Sequence, residues 1–281
     1  MPGSIYRCWI SQRSRTRKLA NLPDLGGLHM ELQVSVLSSA GGRAVNEDAH
    51  GFWAGPGCWF GVLSDGLGGH AGGEIASRLV VRQVLACFYR SPRPTAENVL
   101  EAMLAAHQSL LGAQRSRPEL ASMRATVAVL AIDTANASAI WSHIGDTRLY
   151  CFRAGNLLWQ TRDHSVVQSM VDAGYLAPGD LRGSPHRNAL LCALGDTDPP
   201  APRTEAAPMH VRDGDRFLLC TYGLWEYVTE ADMEQSLAGS CATEAWLLQL
   251  ERQVRERGRP GQDNYSALAV ACIDPCTTVL G

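Results

Sequence analysis

Short strand-like segments separated by turn residues dominate this chain, and helix-like segments occur in pairs between them. Strand-like apolar runs fall at residues 32–39, 58–63, 126–132, 137–144, 148–153, 157–160, 217–221 and 265–273. Apolar residues at helical spacing fall at residues 74–89, after Thr95, at 166–173, after Thr229 and at 243–257. This order lacks the regular strand–helix alternation of a doubly wound parallel sheet. We therefore predict an α+β fold in which helices cover antiparallel sheets.

The amino-acid composition indicates which partners and which cellular compartment to expect. The 281 residues are 46% hydrophobic, so the chain can bury a sizeable core. The net charge of -3 favours neither nucleic acid nor an anionic membrane as a partner, and no apolar run approaches the ~20 residues of a membrane span. Nine cysteines without paired spacing indicate buried free thiols in a reducing compartment. We therefore expect a cytoplasmic protein.

The first 29 residues differ from the remainder of the chain. Their basic residues face Asp24 as the only acidic residue, and they show neither helical nor strand periodicity. They also lack an apolar stretch followed by a small-residue cleavage site, so a secretory signal is not expected. We predict that residues 1–29 are a disordered tail or an over-extended start. No linker interrupts residues 30–275, and residues 30–281 are predicted to be a single domain.

Four short segments each place a carboxylate in a glycine-rich or strand-ending context. They read Arg43-Ala44-Val45-Asn46-Glu47-Asp48, Asp65-Gly66-Leu67-Gly68-Gly69-His70, Gly145-Asp146-Thr147-Arg148 and Asp263-Asn264. Each segment alone is also compatible with an ordinary turn or a solvated loop. Hard divalent ions prefer carboxylate, carbonyl and water oxygens. Asp65 is the best candidate ligand, because it ends an apolar strand and the glycines after it let a backbone carbonyl approach an ion closely.

The order and spacing of the four segments together resemble the metal-dependent protein phosphatases of the 2C type, the PPM family, which remove phosphate from Ser and Thr. The resemblance covers residues 31–274. It implies a sandwich of two antiparallel β-sheets flanked by helix pairs, with a metal site at one end of the sandwich. It further implies a phosphoserine or phosphothreonine protein as substrate and an opposing Ser/Thr kinase. Residues 223–228 resemble the phosphatases associated with bacterial type VI secretion.

The resemblance also implies a role for individual residues and a cofactor of two Mn²⁺ or Mg²⁺ ions with a weaker third. By this resemblance the metal ligands are Glu47, Asp48, Asp65, Gly66 through its carbonyl, Asp146 and Asp263. Asp65 bridges the two ions and Asp146 serves the third. Arg43 grips the substrate phosphate, since its planar guanidinium can bind two phosphate oxygens. Asp65 and Arg43 are therefore the residues expected to carry catalysis.

One position departs from the family pattern. Residues 220–225 read Cys-Thr-Tyr-Gly-Leu-Trp, and Tyr222 occupies the place where the family has a metal-binding aspartate. A neutral phenol, with a reference pKa near 10, is a poor ligand for a hard divalent ion. Three interpretations stay open. The chain is a weakened phosphatase with one site poorly occupied, or a pseudophosphatase that binds phosphorylated partners without turnover, or a nearby residue such as Glu226 substitutes as the ligand.

Overall fold

The structure, a computed structural model, describes residues 7–11, 17–21, 30–68, 72–205 and 207–274. Its strands are β1 Arg7–Ser11, β2 Arg17–Asn21, β3 Glu31–Ser39, β4 Ala49–Gly55, β5 Cys58–Ser64, β6 Gly66–Leu67, β7 Arg124–Ala125, β8 Val127–Asp133, β9 Ser138–Ile144, β10 Arg148–Arg153, β11 Asn156–Gln160, β12 Arg203–Thr204, β13 Met209–His210, β14 Arg216–Cys220 and β15 Tyr265–Ile273. Its helices are α1 Gly72–Arg90, α2 Ala96–Ser116, α3 Val166–Asp172, α4 Tyr222–Trp225, α5 Glu230–Ala238 and α6 Thr243–Arg257, with short 3₁₀ turns at Pro118–Leu120 and Pro178–Asp180.

Two large sheets form the centre of the molecule. The first has the strand order β1-β4-β5-β8-β9-β12, with β13 also paired to β9, and the second has the order β11-β10-β14-β15-β3-β2. The strand pairs within both sheets are antiparallel. A small additional pair, β6 with β7, lies next to the glycine-rich turn that follows β5.

Three apolar clusters hold four layers together. Trp59, Leu130 and Leu268 belong to the cluster between the two sheets. On the outer face of the first sheet, α1 and α2 pack through a cluster in which the rings of Phe60 and Phe88 stack with centroids 4.1 Å apart. On the outer face of the second sheet, α5 and α6 enclose a third cluster that includes Tyr222, Trp225 and Trp246. The predicted α+β sandwich with helices on both faces is confirmed.

Local signals mark where the helices begin. The Thr95 side chain accepts a hydrogen bond from the Asn98 amide at the start of α2. At the start of α5, Thr229 and Asp232 form a reciprocal capping box, which satisfies backbone N–H groups that have no partner inside the helix. Within the described residues, no helix has both the length and the apolar character needed to cross a membrane.

The N-terminal segment shows more regular structure than its sequence indicates. The sequence predicts a disordered tail or an over-extended start over residues 1–29, and in the described parts of this segment β1 pairs with β4 and β2 pairs with β3. The unpaired backbone groups of an edge strand can bind a further strand even when the added segment lacks a strand pattern. Residues 1–6, 12–16 and 22–29 lie outside the described residues, and the domain boundary at residue 30 stays a prediction.

Candidate metal centre

The predicted site residues gather at one end of the sandwich because neighbouring strands run in opposite directions. Ala49 at the start of β4 pairs with Ser64 at the end of β5, and Cys220 at the end of β14 pairs with Ala267 near the start of β15. The turn between β9 and β10 lies at the same end, as the strand registers show. The loops at these strand ends carry Glu47, Asp48, Asp65, Asp146, Tyr222 and Asp263.

A cavity of about 210 Å³ opens among these loops. The cavity is lined by Arg43, Glu47, Asp65, Gly66, Leu67, Gly68, Asp146, Asn188, Leu190, Tyr222 and Asp263. Four carboxylates therefore face one guanidinium across the cavity. This imbalance of charge favours a bound cation.

Asp65 follows β5 and lies close to the other carboxylates of the centre. Burial, followed by the charges of Asp48 and Asp146, raises the pKa of the Asp65 carboxyl well above its usual range. The Asp65 carbonyl accepts a hydrogen bond of 2.9 Å from the Thr126 amide, which fixes the end of the strand. A Cβ atom on Gly66 would collide with the Gly73 carbonyl, so only glycine allows this close approach.

Asp48 lies behind the cavity wall and is fully buried. Its Oδ2 accepts a hydrogen bond of 2.9 Å from the Thr221 hydroxyl, while Oδ1 has no hydrogen-bond partner among the described residues. Burial raises the pKa of Asp48 to about 7, against the hydrogen bonds from Ser266 and Thr221. A buried carboxylate oxygen without a donor is costly, and a divalent cation would remove that cost.

Glu47 and Asp146 are two further carboxylates that line the cavity. Burial, followed by the charge of Asp263, raises the pKa of Glu47, and the Glu47 amide donates to Asn264 Oδ1 at 2.8 Å. Burial, followed by the charge of Asp163, raises the pKa of Asp146 to about 7. The Trp225 indole N–H donates to the Asp146 carbonyl at 2.8 Å, so α4 holds the turn that presents Asp146.

Arg43 and Asp263 lie at the exposed rim of the cavity. Their side chains form an ion pair at 3.5 Å and are 57% and 42% exposed, respectively. Such a long and exposed pair contributes little to stability, so the guanidinium can leave Asp263 without a large cost. The loops that carry the two residues are joined by a hydrogen bond of 3.0 Å from the Gly42 amide to the Gln262 carbonyl.

Tyr222 lines the cavity in the place of the expected carboxylate and is 8% exposed. Its ring meets Trp225 edge-on, with centroids 4.9 Å apart. Glu226 and Arg187 lie beside the Tyr222 hydroxyl, and burial, followed by Glu226, raises the pKa of that phenol. The Glu226 carboxylate is paired with Arg187 at 2.8 Å and does not line the cavity. The geometry therefore offers no support for Glu226 as a replacement ligand.

The donor set suits hard divalent ions in its chemistry. It consists of oxygen atoms, it includes the unpartnered Asp48 Oδ1, and three of its carboxyls have strongly raised pKa values. Within the ranges that the structure describes, no three His, Cys, Asp or Glu side chains are arranged so that they could hold a metal ion. The carboxylates thus surround a cavity instead of converging on one point.

Some lining residues carried no recognisable signal in the sequence. Asn188 and Leu190 come from the long connection between α3 and β12, which we did not associate with the site. Asn264 lies outside the cavity lining, and the sequence marks it only as the neighbour of Asp263. Its side chain accepts from the Glu47 amide and donates to the Ala40 and Val45 carbonyls, so it joins the two acidic loops.

Comparison with known proteins decides the family. The sequence profile of the family described as "Protein phosphatase 2C" matches residues 38–246. The chain belongs to the protein phosphatase 2C family. Except for Asp263, every cavity-lining residue of this phosphatase 2C family member falls inside the matched range.

Relatives of this phosphatase 2C family member include bacterial proteins. Serine/threonine protein phosphatase PstP of Mycobacterium tuberculosis is 31% identical over 216 residues, which cover 76% of this chain. The chain spans only 40% of the length of that relative.

Solved structures agree in fold. The catalytic domain of PstP in complex with two manganese ions is 29% identical and superposes with a TM-score of 0.71, covering 86% of this chain and 99% of that one. PppA of Pseudomonas aeruginosa, described as a key regulatory component of T6SS, is 29% identical with a TM-score of 0.69, covering 86% and 98% of the respective chains.

Proposed function

We propose that this chain is a metal-dependent serine/threonine protein phosphatase. The observation that carries the proposal is the cavity in which Glu47, Asp65, Asp146 and Asp263 face Arg43. Two divalent ions bound there would lower the pKa of a shared water and neutralise the charge of a phosphate group. The naming of relatives as serine/threonine phosphatases and the two manganese ions in a similar structure support the same activity.

The proposal assigns each residue a part. Two Mn²⁺ or Mg²⁺ ions would be held by Glu47, Asp48, Asp65, the Gly66 carbonyl and Asp263, and Asp146 would serve a weaker third ion. Asp65 has the central part, since burial and then the charges of four other carboxylates raise the pKa of its carboxyl, and a cation there would relieve these repulsions. Arg43 binds two phosphate oxygens and orients the phosphorus for attack by water.

We also propose the substrate, the partner, the catalytic domain and the compartment. Phosphoserine and phosphothreonine proteins are the substrates, an opposing Ser/Thr kinase is the partner, and residues 30–281 form the catalytic domain. The seven cysteines whose side chains the structure describes are free thiols, which supports a reducing, cytoplasmic compartment. The likeness to PppA supports the type VI secretion-associated branch.

A pseudophosphatase is the second candidate function, and Tyr222 is the observation in its favour. The phenol lines the cavity where the family resemblance requires a carboxylate, which removes one negative charge from the site. In that case Arg43 would still bind a phosphorylated partner, and hydrolysis would not follow.

The test compares metal dependence with thiol dependence, using a phosphothreonine peptide and a small aryl phosphate. Burial raises the pKa of Cys58 to about 11 and that of Cys151 to about 12, and none of the described cysteines lines the cavity. We therefore expect Mn²⁺-dependent hydrolysis that a chelator abolishes and iodoacetamide leaves unchanged. Hydrolysis that survives the chelator but not iodoacetamide would refute the mechanism. Binding of the phosphopeptide without hydrolysis would favour the pseudophosphatase.

A further inference from the structure

The short helix α4 connects three parts of the site. Its first residue, Tyr222, lines the cavity, and Trp225 holds the Asp146 carbonyl. The next residue, Glu226, accepts hydrogen bonds of 3.0 and 2.8 Å on one carboxylate oxygen from Nε and Nη2 of Arg187. Arg187 belongs to the connection between α3 and β12. The position that lost its expected carboxylate thus lies beside a contact that holds a distant loop.

Residues 181–190 form what we call the wall segment, and its first half is fixed to the α4 region. Leu181 is buried in the same apolar cluster as Trp225. Arg182 donates from Nε to the Trp225 carbonyl at 2.9 Å and from Nη2 to Glu230 at 2.8 Å. The Arg187–Glu226 pair is the next attachment along the segment.

The second half of the wall segment is fixed to the start of α3. Leu190 forms a β-bridge with Ser165, and the Val166 amide donates to the Ala189 carbonyl at 2.9 Å. Asn188, which lies between the two attachments, and Leu190, which belongs to the second, line the cavity. The position of this part of the lining therefore depends on the contacts at both ends of the segment.

We propose that Tyr222, Arg187 and Glu226 form a latch that holds the wall segment against the cavity, so that Asn188 and Leu190 contact the polypeptide around the phosphorylated side chain. The proposal rests on the proposed phosphatase function for its substrate. Asn188 offers both a donor and an acceptor, which suits a peptide backbone, and Leu190 offers an apolar contact. A small aryl phosphate lacks this flanking polypeptide and depends on the acidic residues and Arg43 alone.

The contacts of the latch explain how it can affect binding of the substrate polypeptide. The Arg187 and Glu226 side chains are 32% and 15% exposed, so the pair is better shielded than an ordinary surface ion pair. The Tyr222 hydroxyl beside them gives the pair a neutral neighbour. An aspartate at position 222 would place a second negative charge next to Glu226 and compete for Arg187. With tyrosine at position 222 the site therefore lacks one carboxylate ligand, and the wall segment is held in place beside the cavity.

The test uses Arg187→Gln and Glu226→Gln, which break the latch from either side without altering an expected metal ligand. Arg257→Gln is the matched control, since Arg257 forms a similar two-bond pair with Asp232, at 2.6 and 2.9 Å, and does not line the cavity. Hydrogen exchange of residues 181–190, KM and kcat for a phosphothreonine peptide, KM for an aryl phosphate and Mn²⁺ affinity are measured for each protein.

Both latch variants should exchange faster in the wall segment and raise KM for the peptide about 5-fold, the upper range for an incompletely buried ion pair. Their kcat, their KM for the aryl phosphate and their Mn²⁺ affinity should stay as in the wild type, and Arg257→Gln should match the wild type throughout. Unchanged exchange in both variants would overturn the latch. Faster exchange with an unchanged peptide KM would overturn the substrate-contact part. If the wild type hydrolyses neither substrate, the phosphatase proposal fails, and exchange together with the Kd for the phosphopeptide still decides the latch.

Discussion

At the scale of single residues, the surroundings of a carboxylate reveal more than its position in the sequence. Asp48 sits in what resembles a solvated acidic loop, yet it is fully buried with one oxygen lacking a hydrogen-bond partner. The family resemblance implies that Asp263 is a metal ligand as well, and its side chain lies exposed at the rim beside Arg43. Neither difference is visible in residue type or spacing, because both depend on which loops meet.

The two acidic residues Asp65 and Asp146 should differ in their importance. Asp65→Asn removes the carboxylate expected to serve two ions, and activity should fall at least ~100-fold with a clear loss of Mn²⁺ affinity. Asp146→Asn is expected to affect only a weaker third ion and to cost about 10-fold or less in activity. Steady-state kinetics and Mn²⁺ titration of both variants check this order. Equal losses in the two variants would argue against the assigned roles.

Tyr222→Asp should raise Mn²⁺ affinity and turnover of an aryl phosphate by at least ~10-fold, because it adds a carboxylate to the acidic cavity that we propose binds the ions. Without metal, the variant should unfold at a lower temperature, since the new charge adds to an uncompensated acidic cluster. Saturating Mn²⁺ should reverse that loss, because a ligand that binds the folded state stabilises it.

Tyr222→Phe is the control, since it keeps the ring and adds no charge. It should leave Mn²⁺ affinity as in the wild type. If Tyr222→Asp changes neither turnover nor metal affinity, position 222 does not contribute to the metal centre.

At the scale of elements, local patterns predict the long helices and most strands, and they miss the short pieces that build the site. Apolar stripes and caps identify α2 and α5 because those signals depend on neighbours within a few residues. The sequence does not predict the strand β4, since Gly51 interrupts its apolar run and its pairing with β1 and β5 stabilises it. The four-residue α4 was also not predicted, because it is too short to show a helical period.

The capping box at the start of α5 gives a prediction at this scale. Thr229→Ala removes the side chain that accepts from the Asp232 amide, and the free energy of unfolding should fall by about 1 kcal/mol. Urea denaturation measures the change. Ser116→Ala, which alters a hydroxyl at the exposed C-terminal end of α2, is the control and should fall within about 0.5 kcal/mol of the wild type. A Thr229→Ala protein as stable as the control would contradict the capping role.

At the scale of the whole molecule, the site depends on contacts between parts that are distant in the chain. Arg43 and Asp263 are 220 residues apart and meet across the end of the sandwich. Periodicity could predict the α+β class, since it reports which face of each element is apolar. It could not predict which loops share a cavity, and the family resemblance supplied that set. Neither periodicity nor the family resemblance predicts that Asn188 of the wall segment lines the cavity.

Acid should weaken the fold through His164, which accepts a hydrogen bond from the Gly145 amide at 3.1 Å. Burial, followed by the neighbouring His143, lowers the pKa of His164 to about 4 from an ordinary value of 6.5. The unfolded chain therefore binds the proton more readily. The contribution of His164 is fully present above pH 6.5 and is lost as the pH falls towards 4, by at most ~3 kcal/mol.

The measurement is urea unfolding at pH 7 and pH 4.5 in the presence of a chelator, so that release of metal does not contribute. His164→Asn keeps an acceptor for the Gly145 amide and cannot take up a proton in this range. The wild type should lose more stability on acidification than this variant. His186→Asn, at an exposed histidine, should behave as the wild type. Identical acid losses in wild type and His164→Asn would contradict the prediction.

The central claim is that the acidic cavity at the end of the sandwich is a divalent-metal centre built around Asp65. Calorimetric titration of the metal-free protein with Mn²⁺ at pH 7.5 tests it most directly, with Asp65→Asn and, as a change outside the cavity lining, Arg257→Gln in parallel. Two Mn²⁺ ions should bind to the wild type and to Arg257→Gln, and at least one of them should be lost from Asp65→Asn. A wild-type protein that binds no Mn²⁺, or an Asp65→Asn protein that binds it as the wild type does, would contradict the claim.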